Sequence, residues 1–207
     1  GLSAIFRDLG ADGVVSGGQT MNPSTASILA EVERIQAETV FVLPNNGNII
    51  MAAQQCAGLT EKQVIVIPTK TIPQGITALM NVDFDAPDAE TLTAAMTACL
   101  DSVRTASITV ASRDSEYDGF NIRAGDYLAL DDGKLFGADS SLETLLERIA
   151  HAAERLKAAF VSLYYGEGID EEAARKAGKI FEAVCPDAEI AVLSGGQPVY
   201  QYMISIE

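Results

Sequence analysis

The sequence predicts an α/β fold in two halves, with a parallel sheet and flanking helices in the first and a mixed sheet plus helices in the second. Three observations carry this. Short β-branched runs alternate with helical patterns through the first half, the order that a parallel sheet covered by helices requires. Beyond residue 104, brief apolar runs separated by Asp and Gly turns suggest an antiparallel meander, before helix and strand alternate again. Hydrophobic residues make up 48% of the 207 positions and charged residues 21%, too apolar for a disordered chain.

The elements follow in order. Gly13-Val14-Val15-Ser16 reads as a strand, and Asn22 is placed to cap a helix with Pro23 in its first turn and Ile28, Leu29, Val32 and Ile35 on its apolar face. Residues 39–43 form the next strand. Asn46 or Asn48 starts a helix over Ile49, Ile50, Ala53 and Cys56, and residues 64–67 form a third strand that Pro68 ends. Helices are expected at 76–80 and, after an acidic turn, at 89–103. In the second half the runs 105–111, 120–122, 127–130 and 134–136 are the meander. A long amphipathic helix at 142–157, a strand at 160–165, a helix at 171–184, a strand at 189–193 and a final run at 200–206 complete the chain. The boundary falls near Val103 or Arg104, giving subdomains 1–104 and 105–207.

Charge and cysteine usage exclude several functions. The net charge of −15 repels phosphate backbones and anionic lipid at long range, so no nucleic-acid partner is expected. Both halves are acidic, with five Lys and Arg against eleven Asp and Glu up to residue 104 and nine against eighteen after it. Cys56, Cys99 and Cys185 are few, odd in number and far apart, as in a reduced, cytoplasmic protein. With a single histidine, His151, no Cys/His metal cluster can be assembled, and that histidine lies in a helical pattern away from the candidate loops. The uncharged stretch 39–60 is broken by Pro44-Asn45-Asn46-Gly47-Asn48 and is no membrane span. The chain opens Gly-Leu-Ser rather than with Met, as a piece of a longer protein would.

Ligands of open parallel sheets bind beyond the carboxyl ends of the strands. Three loops are expected there: 16–25, with Gly17, Gly18, Gln19, Thr20, Asn22 and Ser24; 44–48, with Asn45 and Asn46; and 68–75, with Thr69 and Lys70. They offer uncharged donors and acceptors and one cation, suited to a carboxylate, a phosphate or a backbone carbonyl. The plainer reading, that these residues only make turns and caps, stays open beside it. Val14 to Thr20 is echoed by Val192 to Pro198, so Gly195, Gly196 and Gln197 join the candidate ligand or partner loops. Neither Gly-Gly-Gln run has the spacing or the lysine of a nucleotide phosphate loop, and no Gly-x-Gly-x-x-Gly follows a strand, so no cofactor, metal or catalytic residue is assigned.

The runs Ser-Gly-Gly-Gln-Thr-Met-Asn-Pro-Ser-Thr at 16–25, Leu-Pro-Asn-Asn at 43–46, Pro-Thr-Lys-Thr-Ile-Pro-Gln-Gly at 68–75 and Ser-Gly-Gly-Gln-Pro at 194–198 resemble the C-terminal domain of the large subunit of bacterial fatty acid kinase, also described as dihydroxyacetone-kinase-like or DAK2-domain proteins. The resemblance covers essentially the whole chain. It implies a fold like the DegV-type fatty-acid-binding subunit, with ATP and Mg supplied by a separate N-terminal domain of the parent protein. The implied partners are that DegV-type protein and the rest of the large subunit, with a homodimer left open. In DegV-type proteins the fatty acid carboxylate is contacted by a Thr-Ser-x-Pro-Ser stretch; Thr20-Met21-Asn22-Pro23-Ser24 is similar, with Met and Asn departing. The implied role is docking of the acyl-bearing partner for phosphorylation by ATP. A small-anion or fatty-acid-binding domain with its site between the halves, and a dihydroxyacetone-type kinase substrate domain, are the alternatives.

Overall fold

The computed structural model describes residues 1–17 and 23–207 and divides into two compact units, Ser3–Val103 and Arg104–Glu207 with Gly1–Leu2. The N-terminal unit opens with α1 (Leu2–Asp8), then α2 (Thr25–Arg34), β1 (Thr39–Val42), α3 (Ile50–Cys56), β2 (Gln63–Val66), α4 (Ile72–Met80) and α5 (Ala89–Ala98), followed by a 3-10 turn at Leu100–Ser102. β1 and β2 pair in parallel, Val42 opposite Val66. Successive side chains point to opposite faces of a strand, and here both faces are covered. Val40, Val42, Val64 and Val66 pack with α2 and α3, against Ile28, Val32, Ala53 and Cys56. Phe41, Leu43, Ile65 and Ile67 pack with Ala78, Met96 and Leu100 from α4, α5 and the 3-10 turn. That double covering is why both strands read as unbroken apolar runs.

Three expectations for this unit are corrected. Residues 13–16 form no strand: they run outside any ladder, and the described parallel sheet has only β1 and β2. A Cβ at Gly13 would lie 2.4 Å from the Glu31 carboxylate, so the chain there is pressed against the side of α2. Gly17 therefore follows no strand, whereas Gly195 follows β9. The cap of α2 is Ser24, whose Oγ accepts from Ser27 N–H at 3.0 Å, and Pro23 precedes that cap instead of entering the first turn. Asn22 lies outside the described residues, as do Gly18, Gln19, Thr20 and Met21. The helix expected over 89–103 is shorter, ending at Ala98 before the 3-10 turn.

The C-terminal unit holds β3 (Arg104–Val110), β4 (Ser115–Tyr117), β5 (Phe120–Ile122), β6 (Tyr127–Asp131), β7 (Lys134–Asp139), α6 (Leu142–Arg155), β8 (Phe160–Tyr165), α7 (Glu171–Val184), β9 (Glu189–Ser194) and β10 (Tyr200–Ile206). Six strands form one sheet in the order β7-β6-β3-β10-β8-β9. Every pair is antiparallel except β8 with β9, which α7 joins as the crossover helix. β4, which the sequence did not signal, pairs with β5 in a separate hairpin. Asp118-Gly119 and Asp132-Gly133 turn the two hairpins with positive φ at both residues (50° and 80°, 47° and 86°), the backbone that two-residue hairpin loops need. Tyr202, Ile204 and Ile206 alternate along β10 into a core with Leu145, Ile149 and Phe181 of α6 and α7.

Candidate functional site

Because β1 and β2 end level, the loops that leave them run side by side. Ile67 N–H donates to Val42 O at 3.0 Å, past the last ladder pair. Asn45 then takes φ 59° and donates its backbone N–H to Thr69 Oγ1 at 2.8 Å. Thr69 is fully buried, and its own N–H donates to Ile67 O at 2.6 Å. The structure thus brings Asn45 and Thr69 together, as neighbouring strand-end loops should.

The Asn45 side chain is tucked over the start of α4. A Cβ at Gly75 would stand 2.0 Å from Asn45 Oδ1, so only glycine leaves room for it. That Oδ1 is buried and has no hydrogen-bond partner, an exception among native buried polar atoms. The residues of this approach are further locked by Gln74, whose Oε1 accepts from Lys70 N–H at 2.7 Å and whose Nε2 donates to Leu100 O at 3.2 Å. Thr71 caps α4, its Oγ1 accepting from Gln74 N–H at 3.2 Å. Lys70 is exposed and makes no ion pair among the described residues. Gln74 and Gly75 were visible only as part of a loop, and their roles as lock and clearance depend on a three-dimensional approach that spacing does not encode.

The remaining candidates sit differently. Asn46 Oδ1 accepts from Asn48 N–H at 2.9 Å, a local turn ahead of α3, which begins without a side-chain cap. Ser24 bonds within α2, and its neighbour Thr25 donates to Gln55 Oε1 at 3.1 Å near the end of α3. In the C-terminal unit Gly195 and Gly196 both donate to Tyr165 O, at 2.9 and 3.0 Å. Gln197 is buried, and its Nε2 donates to Tyr164 O at 2.8 Å and to Tyr200 O at 3.3 Å. A Cβ at Gly195 would fall 2.0 Å from Gln197 Oε1, so this turn clasps β8 to β10 through the amide. Gly17 lies in the unpaired stretch before the undescribed residues.

Chemically, the 43–48 and 67–75 loops can meet a carboxylate or a carbonyl through the exposed Lys70 ammonium. They contain no nucleophile with a base beside it. Among the described residues no group of three His, Cys, Asp or Glu could hold a metal ion. Burial pushes the Cys56 and Cys185 thiols up, away from the thiolate a nucleophile needs. His151 lies on the exposed surface of α6, as its helical setting suggests. No described helix is long and apolar enough to cross a membrane.

The class defined by this fold is the DegV-like α/β protein. A DegV family protein from Corynebacterium glutamicum superimposes with a TM-score of 0.69 at 15% identity, covering 99% of this chain and 92% of that one. The Streptococcus pneumoniae Fak B3 protein, a structure loaded with linoleic acid, gives 0.66 at 12% identity over 89% of this chain and 76% of its own. The FakA-like C-terminal family of fatty acid kinase matches residues 1–207, and the chain belongs to that family. Protein YloV of Bacillus subtilis (strain 168) is 36% identical across the whole chain. The chain spans 37% of that protein's length and 38% of an uncharacterised Staphylococcus aureus (strain USA300) relative, so it corresponds to a part of larger proteins.

Proposed function

We propose that this chain is the docking module of a fatty-acid-kinase-type large subunit, receiving the DegV-type fatty-acid-binding subunit so that the acyl carboxylate can be phosphorylated by ATP. The observation that supports it most is the family match over all 207 residues of a chain that spans little more than a third of its relatives. On this reading ATP, Mg and the DAK2-type catalytic groups belong to the remainder of the parent protein, and no step of phosphoryl transfer uses a residue of this chain. Its own part is to present a rigid polar surface, in which Asn45, Thr69 and Gln74 fix the backbone around Lys70. The test is calorimetric titration of the chain with a DegV-type subunit carrying fatty acid. Saturable binding in the micromolar range or tighter is expected, weakened by Lys70→Glu. Failure to bind a partner that the full-length parent does bind sinks the reading, as does micromolar binding of ATP and Mg to the chain alone.

A second reading, direct binding of a fatty acid or small anion at these loops, is favoured by the exposed Lys70, a cation that makes no ion pair among the described residues. It expects fatty acid to co-purify with the chain in native mass spectrometry and to be taken up again after delipidation; a delipidated sample that takes up none removes it. A dihydroxyacetone-type substrate domain lacks a corresponding observation.

A further inference from the structure

The C-terminal unit carries a concavity of about 570 Å³, framed by α6 and the β3, β6, β7 and β10 strands. Its apolar lining comes from Phe136, Ile149, Leu156 and Ile206, and Leu156 is half exposed. Around that floor stand Arg104, Arg148, His151 and Arg155. In a chain of net charge −15, three of the 14 Lys and Arg around one hollow is a marked local inversion.

Pairing shows which of these charges are free. The Arg104 fork is filled by Asp131, with Nη2 at 2.8 Å and Nε at 3.3 Å, and Asp132 lies 3.9 Å from Nε, so this wall contributes no net positive charge. Arg148 and Arg155 make no ion pair among the described residues. The neighbouring helix behaves otherwise: on α7, Arg175 pairs with Glu171 at 2.8 Å and Lys176 with Glu172 at 3.4 Å, each four residues back. On α6 the residues four before Arg148 and Arg155 are Thr144 and His151, so no acid stands one turn back from either. Spacings of three, four and seven put Arg148, His151 and Arg155 on one side of the helix, the side that lines the hollow.

We propose that this hollow binds a soluble amphipathic anion, an organic carboxylate, sulfonate or phosphate monoester with a compact apolar body. The body rests on Phe136, Ile149, Leu156 and Ile206, and the anionic head meets Arg148 and Arg155. The volume suits a ligand of ordinary metabolite or drug size, and such sites are mostly apolar with a few placed polar groups. Arginine is the side chain suited to bidentate contact with these heads. The site lies wholly within the C-terminal unit and is independent of the docking role proposed above.

The test uses the 207-residue chain and 8-anilinonaphthalene-1-sulfonate as a fluorescent probe. One saturable site is expected, with amide shift changes in heteronuclear NMR centred on Phe136, Arg148, His151, Ala152 and Ile206. The double variant Arg148→Glu, Arg155→Glu should weaken binding about tenfold or more with unchanged far-ultraviolet dichroism, whereas Arg175→Glu with Lys176→Glu leaves it unchanged. Octyl phosphate should displace the probe, and equal concentrations of inorganic phosphate or the neutral N-phenyl-1-naphthylamine should not. Displacement by inorganic phosphate, equal affinity for the neutral analogue, full affinity in the double variant, or shift changes centred on residues 43–48 and 67–75 would each overturn the proposal. Co-sedimentation of the chain with phosphatidylglycerol vesicles, lost in the double variant, would assign the surface to membrane lipid and overturn it equally.

Discussion

Gly75 and Asn45 show how a single clearance can set a loop. Adding a methyl at position 75 drives it into Asn45 Oδ1 at 2.0 Å, and the amide cannot retreat freely because the Asn45 backbone is pinned to Thr69. Gly75→Ala should cost about 1–3 kcal/mol in urea unfolding. In an Asn45→Gly background, where the obstructing amide is gone and φ 59° suits glycine, the same change should cost clearly less. Equal costs in both backgrounds would show that the clash is relieved elsewhere. A second residue-scale effect concerns pH. Burial, with Asp170 adding a smaller contribution, pushes the Tyr202 phenol up to about 12. Between an unfolded phenol near 10 and that value the unfolded chain has lost a proton the folded chain keeps, so the contribution is fully present below pH 10 and is lost as pH rises through about 12. Tyr164, raised in the same direction chiefly by burial, adds to the slope. Urea midpoints should fall more steeply from pH 9 to 11 in the parent chain than in Tyr202→Phe, and parallel curves would refute the assignment.

At the scale of elements, caps and periodicity made most of the chain legible. Asp170 stands before Glu171 and Glu172 at the start of an amphipathic run, and its Oδ1 accepts from Ala173 N–H at 2.7 Å. Asp170→Ala should lower stability by about 1 kcal/mol, read as a shift in melting temperature, while Asp170→Ser recovers most of it. Strands β5, β8 and β10 and helix α7 begin and end where their patterns place them. The expected strand at 13–16 failed for a reason local sequence does not carry: β-branched residues make a strand only where a ladder partner exists, and this segment instead passes against Glu31. The β4 hairpin was half missed because Ser115-Glu116-Tyr117 is exposed throughout and shows no alternation. Of the candidate loops, those after β1 and β2 were legible as strand ends, but the lock made by Gln74 was not. In sequence Arg148 and Arg155 look like ordinary helix surface, since what distinguishes them is the hollow beneath, assembled from strands distant along the chain.

For the whole molecule, the governing quantity is a charge of −15 spread over both units. A field of one sign steers a basic partner toward the protein and accelerates encounter, and salt screens it with a Debye length of about 10 Å at 0.1 M. If docking of the DegV-type subunit is governed by this field, the association rate should fall about tenfold or more between 50 and 500 mM salt, while the dissociation rate, set by contacts already made, changes far less. Exposed apolar side chains offer the competing mode. Met51, Met80 and Phe84 are 69%, 67% and 76% exposed in the N-terminal unit, and burying them would be indifferent to moderate salt. Stopped-flow or surface-binding kinetics across that salt range separate the two. A steep rate that Lys70→Glu raises further assigns encounter to the acidic field, and faster dissociation of the same variant places Lys70 against an acid of the partner; a flat rate, with Phe84→Ser raising dissociation, moves docking to the apolar residues and away from the strand-end loops.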